Sequence, residues 1–149
     1  MTPGAFGGAF WACSTMLKPR IVVADDTEFI LDLVVTRLEL AGYQTFVARD
    51  GFQAVHIITE VAPQAVVLDI GMPGMDGFGV LAALKSAERT RNIPVLMLTA
   101  RNAQADVQRA LSCGARDYLA KPFDDQVLIA RVARLIRRRP TSGVPLMVE

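Results

Sequence analysis

At 149 residues the chain is close to the prior of about 150 residues for one domain, and it is long enough to bury a core without a disulfide or metal staple. Hydrophobic residues at 52% against 21% charged exclude intrinsic disorder, and 16 Lys+Arg against 15 Asp+Glu exclude a bulk charge aimed at nucleic acid or acidic surfaces. Cys13 and Cys113 form neither a CxxC pair nor a disulfide framework, and no apolar run reaches the ~18 residues of a membrane span, so a reduced, cytoplasmic protein is expected.

Met1–Thr15 shows neither helical nor strand period and reads as an upstream start, with Met16 the working initiator, and residues 1–17 together as a flexible leader. Ile21–Ala24 is a β-branched run that predicts a buried strand. Glu28–Ala41 carries Phe29, Ile30, Leu33, Val34, Leu38 and Leu40 at helical spacing and closes on Gly42. Thr45–Ala48 predicts a strand, Gly51–Glu60 a helix facing inward through Ala54, Val55 and Ile58, and Ala65–Leu68 an all-apolar strand. A helix over Phe78–Ala87, a strand over Val95–Leu98, a helix over Ala103–Cys113 and a strand over Asp117–Leu119 follow. Asp124–Arg139 is a last helix with an inner stripe of Val127, Leu128, Val132, Leu135 and Ile136. Residues 140–149 read as a tail or the start of a linker, a natural end and a truncation both remaining open.

Five strands alternating with five helices predict an α/β domain over 18–139, a flavodoxin-like (βα)₅ unit with a doubly wound, five-stranded parallel sheet in an αβα sandwich. In such sheets ligands bind beyond the carboxyl ends of the strands. The polar residues there are Asp25 and Asp26 after the first strand, Asp69 after the third, Thr99 after the fourth and Lys121 after the fifth. Taken singly, each is an ordinary turn former, cap or surface charge. Together, three carboxylates that repel one another call for a cation, and oxygen-only ligands suit Mg²⁺. Thr99 and Lys121 add a hydrogen-bond donor and a positive charge for an anion, so the set describes a carboxylate that becomes phosphorylated. A purely structural network is the alternative.

These residues sit in segments that resemble the receiver domain of two-component response regulators, from about Lys18 to Arg138. The segments are Val22-Val23-Ala24-Asp25-Asp26, Leu68-Asp69-Ile70-Gly71-Met72-Pro73-Gly74-Met75-Asp76-Gly77, Leu98-Thr99-Ala100 and Asp117-Tyr118-Leu119-Ala120-Lys121-Pro122-Phe123. The offsets of 30 residues from Asp69 to Thr99 and 22 from Thr99 to Lys121 also match. The resemblance implies that Asp69 accepts a phosphoryl group from a phosphohistidine of a sensor histidine kinase or a histidine phosphotransfer protein. It implies Mg²⁺, or Mn²⁺ in its place, on Asp26, Asp69 and the Gly71 carbonyl, with Asp25 acting mainly through a bound water. Lys121 and Thr99 would hold phosphoryl oxygens, and the Lys121–Pro122 bond would be cis. Tyr118 would follow the Thr99 hydroxyl inward and remodel the face of the fourth helix, fifth strand and fifth helix. In this reading the chain is a signalling switch and not an enzyme with a separate substrate. Gly71 and Arg101, each two residues beyond a site residue, would tune how long the phosphoryl group survives.

The arginines of the last helix, Arg131, Arg134, Arg137, Arg138 and Arg139, form a solvated face or, more sharply, a homodimer face on activation. In the second case Arg131 or Arg134 would pair with Asp117 across a two-fold axis, as in receivers that precede winged-helix domains. Direct contact of this domain with DNA is not expected, and the downstream effector is not named by the sequence. His56 reads as a surface histidine. A flavin-binding carrier would want a Ser/Thr/Gly phosphate loop where Asp25-Asp26 stand, and a Mg²⁺-dependent phosphatase a DxD motif there. A receiver-like docking module that works without phosphorylation and a receiver fragment of a DNA-binding transcriptional regulator stay open.

Overall fold

Five apolar runs become five parallel strands in the computed structural model, which describes residues 18–100 and 104–137. In chain order these are β1 (Arg20–Ala24), α1 (Glu28–Leu40), β2 (Gln44–Ala48), α2 (Gly51–Val61), β3 (Ala65–Asp69), α3 (Gly77–Ser86), β4 (Val95–Ala100), α4 (Gln104–Ser112), β5 (Asp117–Lys121) and α5 (Asp125–Arg137). The strand order is β2-β1-β3-β4-β5, all parallel, as the alternating pattern predicts. The leader with Met16 and Cys13, the helix start at Ala103, and Arg101, Arg138, Arg139 and the tail lie outside the described residues.

The central strands are apolar on both faces because helices cover both. Val22, Ala24, Val66 and Leu68 pack with Ala54 and Ile58 of α2, Leu81 and Leu84 of α3 and Ala110 of α4. On the opposite face Ile21, Val23, Val67 and Leu98 pack with Leu31, Val34 and Leu38 of α1 and Leu128, Val132 and Leu135 of α5. Two expectations are corrected here. Phe29 and Leu40 are 73% and 74% exposed while Leu31 is buried, because α1 is apolar on most sides and packing selects the 31/34/38 line. Val127 likewise falls outside the α5 stripe and is exposed.

The connections are cut by local chemistry. Asp50 and Asp76 accept hydrogen bonds from Gln53 N–H (2.8 Å) and Gly79 N–H (2.9 Å), capping α2 and α3. Gly42 ends α1 at φ +100°. At α2 the residue past the end is Ala62 at φ 52°, and the Arg20 guanidinium donates to the terminal carbonyls of Val61 (3.3 Å) and Ala62 (2.9 Å).

Gly77 lets α3 start directly against the end of β3. A Cβ there would lie 2.5 Å from the Asp69 carbonyl oxygen and 2.7 Å from Ile70 Cα, both backbone atoms with nowhere to go. Gly77→Ala is therefore expected to cost about 1–3 kcal/mol of unfolding free energy, seen as a lower denaturant midpoint at unchanged slope. A midpoint equal to that of the parent would mean that this close approach has slack.

Candidate functional site

Strand register brings the polar strand ends together. Ala24 of β1 is opposite Leu68 of β3, so Asp25 falls level with Asp69 at the end of the next strand. Leu98 is opposite Asp69, which sets Thr99 one residue further on β4, and Ala100 is opposite Lys121 at the end of β5. The sequence-predicted residues Asp25, Asp26, Asp69, Thr99 and Lys121 thus share one edge. β2, at the far side of the sheet, ends in Ala48, which receives the Asp25 N–H on its carbonyl oxygen (3.1 Å) and contributes no charge.

The Lys121 ammonium holds the centre. It donates to Asp69 Oδ1 at 2.8 Å and to Asp25 Oδ2 at 3.0 Å. The other oxygen of Asp25 accepts the Thr27 N–H (2.9 Å) at the start of α1, so this fully buried carboxylate is bonded at both ends. Asp26 is exposed, and one oxygen from each of Asp25, Asp26 and Asp69 lies within 4.8 Å of the others. Thr99 is 1% exposed, and its Oγ1 is the buried side-chain polar atom among the described residues with no hydrogen-bond partner. A buried hydroxyl left without a partner is costly, so this one calls for a group to meet it. The direction in which a Gly71 Cβ would point is open space.

One ammonium among three carboxylates leaves the site short of positive charge. Burial pushes the Asp69 carboxyl above the usual carboxylate range; the bond from Lys121 opposes this, and the neighbouring Asp25 and Asp26 charges add to it. Burial alone would lower the Lys121 ammonium, but its bonds to Asp69 and Asp25 outweigh that and hold it above the usual lysine range. The two directions have different leading causes, burial for Asp69 and the pair of carboxylate partners for Lys121. Oxygen-only donors, a net negative balance and an exposed side at Asp26 fit a hard divalent cation.

Elsewhere the structure places the remaining candidates. The Lys121–Pro122 peptide bond is cis. Tyr118 on β5 is 37% exposed. Arg131 and Arg134 both pair with Asp117, at 3.2 and 3.0 Å, within the chain. The side chains lie on adjacent β5 and α5, close enough to meet without a partner. Two contacts escaped sequence reading: the Thr27 N–H on Asp25, and Arg109 of α4 stacked on the Phe78 ring of α3, 4.0 Å from the centroid. Residues 31 apart on different helices share no periodic signal.

Comparison with known proteins agrees with this geometry. Residues 21–133 match the response regulator receiver domain family. The chain is 44% identical over 127 residues to the DNA-binding dual master transcriptional regulator RpaA of Synechocystis, covering 85% of this chain but only 52% of that relative, about half its length. Among solved structures it resembles a putative response regulator from Chloroflexus aurantiacus (TM-score 0.79, 31% identity, 81% of this chain and 99% of that one). It also resembles the receiver domain of sensor histidine kinase PA1611 from Pseudomonas aeruginosa, with magnesium ion coordinated in the active site cleft (TM-score 0.75, 29% identity, 80% and 98%). With the sheet order, the acidic edge and the matched residues in agreement, the chain belongs to the response regulator receiver domains of two-component systems.

Proposed function

We propose that this receiver, spanning residues 18–139, is a phosphorylation switch in which Asp69 takes the phosphoryl group. The observation that carries the reading is the Lys121 ammonium bridging Asp25 and Asp69 beside the unpartnered Thr99 hydroxyl. An Asp69 oxygen attacks phosphorus, an O–P bond forms, and the P–N bond to the donor imidazole breaks with its electron pair on nitrogen. Lys121 offsets charge on the transferred oxygens, and Thr99 Oγ1 donates to one of them, gaining the partner it lacks. Asp26, Asp69 and the Gly71 carbonyl would hold Mg²⁺, with Asp25 held back by Lys121 and Thr27 and reaching the ion through water. When bound, the ion supplies charge neutralisation and in-line alignment of the phosphoryl group. Water attack on phosphorus then frees Asp69, with no side chain at Gly71 to obstruct it.

The phosphodonor is a sensor histidine kinase or a histidine phosphotransfer protein, and the site of action is the cytoplasm; among the described residues no helix is long and apolar enough to cross a membrane. On the output side, rotation of Thr99 draws Tyr118 inward and remodels the face of α4, β5 and α5. Homodimerisation through that face would exchange the Asp117 pairs with Arg131 and Arg134 for the same pairs between chains. A longer protein carrying a DNA-binding effector is supported by the RpaA likeness and by the share of that relative the chain spans.

Incubation with a small acyl-phosphate donor is expected to add one phosphoryl group by intact mass. The adduct should require Mg²⁺, be absent in Asp69→Asn and form at least about tenfold more slowly in Lys121→Met. Folded protein that takes up nothing would leave the phosphorylation-independent docking module.

The cation balance makes a second prediction. A carboxyl whose folded pKa is raised loses stability as pH rises from its unfolded value, about 3.9, through the folded one. At pH 7 without divalent cation, Asp69→Asn should therefore melt above the parent, and that lead should shrink as pH falls toward the carboxylate range. Mg²⁺ at about ten times its dissociation constant should raise the parent's melting midpoint by about 5 °C, and the variant's by less. Equal responses of parent and variant would place the cation elsewhere.

A further inference from the structure

Helix α4 is the most lightly anchored of the five. Ala110 is its single buried residue, offering one methyl group, and Leu111 is 44% exposed. By contrast α3 buries Gly77, Phe78, Val80, Leu81 and Leu84, and α5 buries Leu128, Val132 and Leu135. What α4 has in addition is Arg109, on its exposed side, whose guanidinium carbon stands 4.0 Å from the Phe78 ring centroid. Among the described residues no carboxylate pairs with Arg109, so the ring is its electrostatic partner.

The ring itself is fixed to the phosphoacceptor. Phe78 is 6% exposed and follows Gly77, whose N–H donates to the Ile70 carbonyl oxygen at 2.7 Å. The absent Gly77 side chain keeps that turn against Asp69. The stack therefore ties the helix that is least held by burial to the turn that follows Asp69. A displacement of α4 that carries the guanidinium off the ring would open it.

We propose that Arg109 is a positioning residue of the switch: stacked on Phe78, it holds α4 in the resting arrangement and so sets the fraction of molecules ready to take up a phosphoryl group. The proposal rests on the receiver reading above. A small donor reacts with whatever fraction is already competent, so weakening a restraint on the resting state raises the rate by the resulting shift in population. An exposed cation–π contact of ordinary strength corresponds to about a two- to fivefold change.

The test compares the parent with Arg109→Gln, Arg109→Lys and Phe78→Leu. Two quantities are measured: the initial rate of adduct formation from a small acyl phosphate at saturating Mg²⁺, and amide hydrogen exchange of the unphosphorylated proteins. Arg109→Gln and Phe78→Leu should take up the phosphoryl group about two- to fivefold faster. Arg109→Lys, which keeps a cation over the ring, should stay near the parent. Faster exchange in Arg109→Gln should be confined to α4, leaving α2 and α5 unchanged, a pattern that general loss of stability does not produce. Arg109→Gln at or below the parent's rate overturns the proposal even if Phe78→Leu fails to fold, because position 109 is exposed. A parent that forms no adduct removes the receiver reading and this inference together, so the two failures are told apart by the parent alone.

Discussion

A single ammonium shared by two buried carboxylates is the interaction on which the rest of this molecule depends. Lys121 reaches Asp25 and Asp69 from the last residue of β5, two strands away from β3 and three from β1. That reach requires the β3–β4–β5 register to be correct, since a slip of one residue would turn Lys121 to the other face of the sheet. The register depends in turn on apolar strands clamped between two helical layers. The charge centre is therefore a consequence of the core, and the carboxyl ends of the strands are where a parallel sheet brings such groups together.

The balance at that centre is deliberately incomplete. Asp25 is bonded at both oxygens and fully buried, Asp69 is bonded at one and held as a reluctant anion, and Asp26 faces solvent. Three carboxylates of the same type thus occupy three different electrostatic situations. Burial disfavours the anion at Asp69, the residue whose oxygen would take the phosphoryl group, and the hydroxyl without a partner lies one residue along on the adjacent strand. Adding a divalent cation and a phosphoryl group would satisfy both deficits at once, which is the physical content of a switch whose ground state is under-satisfied.

Much of this was legible in the sequence because parallel, doubly covered strands leave little ambiguity. All-apolar runs such as Ala65–Leu68 cannot be amphipathic surface strands, and the first polar residue after each must sit at the sheet edge. The same logic fails for helices. In α1, apolar residues occur on most faces, so periodicity could not choose between Leu31 and Phe29, and only the packed sheet does. The Val127 error in α5 has the same source. Contacts between distant side chains, the Arg109–Phe78 stack and the bond from Thr27 to Asp25, are set by how helices lie on the sheet, which no local pattern records. The charges of Asp117, Arg131 and Arg134 were legible in the sequence as complementary, and within the chain they meet on adjacent β5 and α5.

That last point bears on how the output face would work. Arg134 is half exposed and Arg131 a third exposed, while the Asp117 carboxylate they share is 14% exposed, so the three form a small network at the rim of the surface. Exchanging them within a chain for the same pairs between chains would be nearly neutral, so they would fix the geometry of a dimer more than its strength. The strength would have to come from apolar area. On the described residues Leu111 of α4, Tyr118 of β5 and Val127 of α5 are the large hydrophobic groups left exposed on the three elements of that face. Tyr118 moving inward would change which of this area is presented, and α4, the helix with the least burial to hold it, is the element whose shift would complete the surface. A face built from exchangeable ion pairs and a lightly anchored helix would be rearranged by a small change in free energy, of the kind the proposed phosphoryl group on Asp69 would supply.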